Sequence, residues 1–269
     1  MDQALSYAVY GCAAVAGFCW LLGVLTGEHS WVDRLWSVVP GAYVAWFAWQ
    51  TGYTDPRLVV MTALALAWCA RLTFNFARKG GYAKGGEDYR WEVLRRKMKR
   101  WQWELFAFVF IAGIQHTLLL LISLPAWYAL RGSGTPFGLL DVVATAIFAL
   151  ALVGETIADQ QQWDFHQKKK LAAARGELLD PPFCTTGLFR YSRHPNFFCE
   201  QTIWWAFYLY SVAATGEWLN VTLIGPVALT GLFNGSTNFT EQITLSKYPS
   251  YAEYQRSTSR LIPWMPRSS

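Results

Sequence analysis

Seven stretches of this chain are too long and too apolar for the surface of a soluble domain. They run over 4–25, 35–53, 57–77, 104–129, 138–159, 197–215 and 218–239. A bilayer core is ~30 Å thick, so a helix that crosses it needs ~20 mostly apolar residues. Backbone placed in lipid must satisfy its own polar groups, which favours helices. The pattern predicts an all-α polytopic membrane bundle of about seven transmembrane helices. Composition agrees: charged residues are 15% of 269, against ~25% in an average soluble domain. Fifteen tryptophans fit as well, because amphipathic rings settle at membrane–water interfaces. The first stretch lacks a basic start and a clear cleavage site before Glu28, so it is read as a retained helix and not a signal peptide.

Charge gives the bundle a direction. The connection 78–103 carries nine Lys or Arg, 160–196 carries six and the tail from 240 carries four. Arg34 lies between the first two stretches. With seven spans these basic segments all fall on one side, and the other side holds only Arg57 and Arg131. The positive-inside rule then predicts an N-terminus outside and a C-terminus in the cytoplasm, in a bacterial inner membrane or the endoplasmic reticulum. The net charge of +5 is accounted for by this rim facing membrane lipids, and no nucleic-acid partner is expected. Cys12, Cys19, Cys69, Cys184 and Cys199 form no CxxC pair, so neither a disulfide framework nor a zinc site is indicated. No repeat or soluble module interrupts the chain, and a single domain over 1–269 is the simplest organisation.

Polar residues near the ends of the spans mark the candidate chemistry, because ionisable groups in hydrocarbon are costly unless paired or facing a cavity. Glu155, Asp159, Gln162 and His166 follow spacings of four, three and four, and so share one helical face. A second group is Arg193-His194-Pro195-Asn196, followed by Glu200. Pro195 suits the first turn of a helix, which puts Asn196 and Glu200 one turn apart at its mouth. Arg193 and His194 stand just before it, where free backbone N–H groups favour an anion such as a phosphate-bearing cofactor. A third group comprises Glu28, His29 and Asp33 in the first short loop, with Arg71 and Asn75 on one face of the third span. Gln115-His116 lies near the middle of the fourth, where an interhelical hydrogen bond is the simpler reading. Tyr248, Tyr251 and Tyr254 recur every three residues and suggest a tail helix packed back on the membrane domain.

These residues resemble a known family. Gly187-Leu188-Phe189-Arg190-Tyr191-Ser192-Arg193-His194-Pro195-Asn196-Phe197-Phe198-Cys199-Glu200, with Lys247-Tyr248-Pro249, Tyr251, Tyr254 and Ile262-Pro263, is similar to the C-terminal domain of steroid 5α-reductases. The likeness is greatest to the uncharacterised, DUF1295-type branch of that superfamily. Trp68-x-x-Arg71-Leu72 and Glu87-Asp88-Tyr89-Arg90 also look like that branch. The resemblance covers most of the chain and is specific mainly from about 150 to 269.

It implies a seven-helix membrane reductase in which NADPH enters from the cytoplasm and a lipidic small molecule, an enone, enters from the bilayer. The family's cofactor-contacting Asn and Glu match Asn196 and Glu200, its Asp matches Asp159, and its cofactor-facing Arg matches Arg71. His166, Arg193, His194, Lys247 and Tyr251 are taken as further cofactor-binding candidates. Three positions depart from the family: Glu155 replaces an Asn, Cys199 a Gly, and Trp68 the Tyr that donates a proton in animal enzymes. Hydride transfer to an enone needs a group to stabilise the charge developing on the carbonyl oxygen. In the absence of that phenol, Glu28 or His29 is the candidate catalytic acid. Two rival readings stand beside this one. The first is an S-adenosylmethionine-dependent membrane methyltransferase, which shares the Arg-His-Pro start and a later Glu, here Glu241. The second is a non-catalytic lipid-binding membrane protein.

Overall fold

The computed structural model describes residues 2–267. Among the described residues every regular element is a helix and there is no strand. The helices are α1 (Gln3–Thr26), α2 (Trp31–Trp36), α3 (Val39–Trp49), α4 (Pro56–Arg78), α5 (Tyr89–Lys97), α6 (Arg100–Phe106), α7 (Gln115–Arg131), α8 (Leu139–Ala174), α9 (Pro195–Thr215), α10 (Ile224–Lys247) and α11 (Tyr251–Ser257). A π-helical stretch, Ala107–Ile114, joins α6 to α7 without a break.

Among the described residues four helices are long and apolar enough to cross a membrane: Gln3–Thr26, Pro56–Arg78, Arg100–Arg131 and Leu139–Ala174. Their ends follow local chemistry. Asp2 caps α1 by accepting from the Leu5 N–H, and α1 stops at Gly27, whose φ of 73° suits glycine. Asp55 caps α4 through the Leu58 N–H, with Pro56 in the first turn, where a missing N–H is harmless.

The 35–53 stretch differs from its expectation. It is divided into α2 and an α3 of only 11 residues, about 16 Å at 1.5 Å per residue. Pro40 has no N–H to continue a helix arriving from α2. In the break, the Ser37 hydroxyl accepts from Thr73 Oγ1 at 2.8 Å and lies 3.3 Å from Tyr82 Oη. The fifth stretch is longer than expected, because α8 continues to Ala174. The last begins later, since Asn220 caps a 3-10 turn, Val221–Leu223, before α10 starts.

The chain forms two compact units, Met1–Thr145 with Trp205–Leu229, and Ala146–Trp204 with Thr230–Ser269. The first unit closes around buried Trp68, Phe47, Met61, Leu119 and Phe207. A second cluster joins Val32, Trp91, Trp103, Ala107 and Ile111. Arg57, expected on a polar connection, is buried instead. It donates to Asp141 from Nε at 2.6 Å and Nη2 at 3.0 Å, and to Thr135 and the Pro136 carbonyl. Gly225 lies directly against the Leu121 backbone carbonyl, an approach that no larger residue allows. The second unit has its own core of Ala158, Cys184 and Phe189, with Phe165 and Leu188 packed on it.

Candidate functional site

In the second unit, α8 carries the four-residue polar face read from the sequence, and burial grades along it. Glu155 and Asp159 are buried, Gln162 is half-buried and His166 is exposed. Gln162 Nε2 and His166 Nε2 lie 3.3 Å apart, as spacing four on a helix requires. One turn further on, Lys169 Nζ donates to the Pro182 carbonyl at 2.6 Å and to Tyr248 Oη at 3.0 Å.

Helix α9 starts at Pro195 as its chemistry demands. Asn196 is half-buried there, while Glu200 is buried and accepts from Trp204 Nε1 at 2.9 Å. Helices α8 and α9 approach each other where Gly154 meets Cys199: a Cβ added to Gly154 would lie 3.0 Å from Cys199 Sγ. The larger residue at 199 is thus accommodated by glycine opposite. Glu155 and Glu200 are the chain neighbours of this close approach, so the buried acidic residues of both helices flank one crossing.

Arg193 and His194 do something different from what their position suggests. Arg193 donates to both oxygens of Glu241, from Nε at 2.7 Å and Nη2 at 3.0 Å, and from Nη1 to the carbonyls of Gln255 (3.0 Å) and Thr258. His194 Nε2 is 2.9 Å from Glu241 Oε1. Gln255 Nε2 donates to Glu241 Oε2 at 2.9 Å, and Tyr251 Oη to Oε1 at 3.4 Å. The anion at this helix start is therefore the protein's own carboxylate. Burial raises the Glu241 pKa, but the bonds from His194, Arg193 and Gln255 outweigh it and hold the carboxyl at about 2. The backbone N–H groups of Arg193 and His194 pair with the Ser259 and Arg260 carbonyls. Glu241 is thus the hub of the tail, a role that the sequence offers no periodicity to reveal. Tyr251 packs in the same cluster, edge-on to Phe183 at 4.9 Å, whereas Lys247 is exposed.

In the first unit, Glu28 and His29 occupy the turn between α1 and α2, and the segment after α4 folds against them. Glu28 accepts from Arg34 Nη2 at 2.8 Å and from the Gly85 N–H at 3.1 Å, and both bonds hold its pKa below the ordinary value. The His29 backbone N–H donates to Glu87 at 2.7 Å, and Arg95 Nη2 bonds both Glu87 oxygens. The same Nη2 lies 3.3 Å from His29 Nδ1. The ring also bonds the Gly27 carbonyl, which can only accept.

His29 Nε2 is buried and has no hydrogen-bond partner among the described residues, and Arg95 Nε is in the same state. Both side chains pack on Trp103, which lies edge-on to His29 at 5.1 Å and 4.7 Å beneath the guanidinium. Burial and the Arg95 charge both lower the His29 pKa, which keeps the ring neutral. Gly23 permits this placement: a Cβ there would come within 3.3 Å of His29 Cδ2. Arg95 belongs to the basic run that the sequence assigns to a membrane-facing rim, and only the folded loop joins it to His29. Arg71 is half-buried on α4 in this unit, Asn75 is buried a turn later, and Trp68 is fully buried. Among the described residues no cluster of His, Cys, Asp and Glu has the arrangement to hold a metal ion.

A family model described as a protein of unknown function (DUF1295) matches residues 19–258. The chain belongs to the DUF1295 family. An uncharacterized protein of Schizosaccharomyces pombe is 40% identical over 258 residues, covering 91% of this chain and 75% of the relative. No solved structure matches. For a DUF1295 member, the acidic crossing of α8 with α9 and the pair of His29 and Arg95 are two of the places where polar chemistry is gathered and buried.

Proposed function

We propose that this DUF1295 protein is a membrane-embedded, NADPH-dependent reductase acting on the C=C bond of a lipidic enone, with the cofactor reached from the cytoplasm. The observation that carries the reading is the buried pair of His29 Nε2 and Arg95 Nε, neither with a hydrogen-bond partner among the described residues. Arg95 Nε–H is a donor, and His29 can present a second as its Nε2–H tautomer; either meets the need left by Trp68, which has no phenolic proton. A neutral imidazole can stabilise an enolate oxygen as it forms, and costs no reorganisation when the charge develops. Glu28 is the weaker of the two candidate acids, because Arg34 and the Gly85 N–H hold it ionised as an acceptor.

The second unit supplies a donor set that suits the cofactor. Carboxylates at Glu155, Asp159 and Glu200 accept from hydroxyl and amide N–H groups, and Asn196 can both donate and accept. These would hold the ribose and carboxamide portions. Exposed Lys168, Lys170, Arg175 and Arg190 carry the charge that phosphates require. Arg193 and His194 support the reading less directly, by bracing the start of α9 through Glu241. NADPH, when bound, supplies the hydride.

The test uses the purified chain in detergent and in liposomes. Quenching of NADPH fluorescence is expected, and is lost in Asn196→Ala and Glu200→Ala. NADPH consumption with lipid enones is expected to fall about 100-fold in His29→Leu while NADPH still binds, a size typical for removal of one oxyanion donor. Binding of S-adenosylmethionine without any NADPH signal would overturn the reductase in favour of a methyltransferase. Binding of neither would point to a lipid-binding role.

A further inference from the structure

Residues 259–267 follow α11 without forming a helix, yet their backbone is fixed. The Ser259 and Arg260 carbonyls accept from the N–H groups of Arg193 (2.8 Å) and His194 (3.1 Å), and the Leu261 carbonyl from Ser192 Oγ at 2.8 Å. Further on, the Trp264 N–H donates to the Tyr191 carbonyl at 2.9 Å and the Arg267 N–H to the Ser257 carbonyl at 2.8 Å. Pro263 and Pro266 fix φ and have no N–H to satisfy. This strap therefore lies along segment 191–194, which leads into α9. Its apolar side chains do not follow inward: Ile262 is 65% exposed, and Trp264 and Met265 are each 73% exposed. A single exposed apolar residue needs no explanation, but three in a row of four on a pinned backbone form a surface that something covers.

Charge beside the strap restricts what that cover is. Arg256 and Arg267 are exposed, at the two residues joined through Ser257. Arg260 gives Nη2 to Asn234 Oδ1 at 2.7 Å and Nη1 to Asn238 Oδ1, and both of these partners are neutral amides. Among the described residues none of the three arginines forms an ion pair. The cover must then offer hydrocarbon next to anions. A second copy does not, since a symmetric contact sets each patch against itself and brings arginine to arginine. A phospholipid layer does, with phosphates directly above acyl chains. It is also within reach. Tyr191 precedes Pro195, the first residue of the apolar helix α9, by four positions, a span of at most ~14 Å.

We infer that the strap at 259–267 is an attachment of this chain to the membrane surface, lying in the headgroup layer of a leaflet that contains anionic phospholipid. Ile262, Trp264 and Met265 reach below the phosphates, and Arg256, Arg260 and Arg267 meet them. Tryptophan suits that depth, because its ring is apolar while its N–H stays hydrated. The inference goes beyond the reductase reading and does not rest on it, since it involves neither NADPH nor His29.

The experiment attaches a bimane at Met265→Cys in the full chain in nanodiscs, which keeps Trp264, and separately at Glu177→Cys, exposed just beyond the end of α8. The chain with neither change gives the background from native thiols. The discs contain phosphatidylcholine and phosphatidylglycerol, one of the two carrying a doxyl group near the head of an acyl chain. The label at 265 is expected to escape aqueous iodide and to be quenched by the doxyl lipids, and the label at 177 to do the reverse. Doxyl-phosphatidylglycerol is expected to quench about five-fold more than doxyl-phosphatidylcholine at equal content, the factor for one arginine at an anionic surface. Arg256→Gln with Arg267→Gln is expected to remove that preference, and Trp264→Ser to restore access of iodide to 265. The substituted side chains are all exposed, so the fold is expected to survive, which an unchanged unfolding midpoint checks. Iodide that reaches 265 as readily as 177 would overturn the proposal. Protection that appears only in discs holding two chains would overturn it in favour of a second copy. Equal quenching by the two doxyl lipids would overturn the part given to the arginines. No measurement here requires turnover, so failure is distinguishable from failure of the reductase.

Discussion

Arg193 grips Glu241 with two parallel N–H···O bonds, 2.7 Å and 3.0 Å long, and so ties the start of α9 to the last turns of α10. Both side chains are less than one-tenth exposed. Removing one partner of a buried pair leaves the other charge unanswered, which typically costs about 3–5 kcal/mol. Glu241→Gln is therefore expected to lower the thermal unfolding midpoint in detergent and to expose the tail beyond Lys247 to protease. An unchanged midpoint would mean that the cluster adds nothing to stability.

The same carboxylate makes stability depend on pH in one direction. Its folded pKa of about 2 lies below the ordinary 4.5. The contribution is complete above pH 4.5 and is lost as pH falls from there toward 2. A shift of this size corresponds to roughly 3 kcal/mol. Denaturant midpoints taken between pH 6 and 3 should fall for the native chain and fall less for Glu241→Gln.

His29 predicts a different pH signature. Burial and Arg95 lower its pKa, so the neutral ring persists as pH drops through the ordinary histidine value of about 6.5. The proposed reductase activity is expected to hold across that value and to decline only at lower pH. Arg95→Gln removes a lowering influence and should move the decline upward. Gly23→Ala is expected to displace the ring, reducing turnover with little effect on NADPH binding.

Arg57 and Asp141 are each 1% exposed and answer one another completely. Asp141→Asn is expected to destabilise the first unit by about 3–5 kcal/mol, read as a lower unfolding midpoint. The double change Arg57→Met with Asp141→Leu should recover much of the loss, because two apolar groups leave no buried charge.

Gly225→Ala tests the packing of α10 on α7 within the first unit. The new methyl meets the Leu121 backbone carbonyl, which cannot rotate away as a side chain can. A loss of about 1–3 kcal/mol is expected. Gly231→Ala, a change into open space in the same helix, serves as the control and should leave the midpoint unchanged or raise it.

Sequence by itself determined what depends on local pattern. Long apolar runs mark α1, α4, α7 and α8, since a helix in lipid needs only length and the absence of charge. Pro195 set the start of α9, and spacing alone placed Glu155, Asp159, Gln162 and His166 on one face. Tertiary structure decided where the charges go. Arg57 reads as a loop cation until Asp141, 84 positions away, buries it. Arg193 and His194 read as a waiting anion site until Glu241 fills it. Arg95 reads as one of a basic rim until the loop after α4 returns it to His29. Charge pairing acts through space between residues that no period connects, so it becomes visible only after the chain has folded.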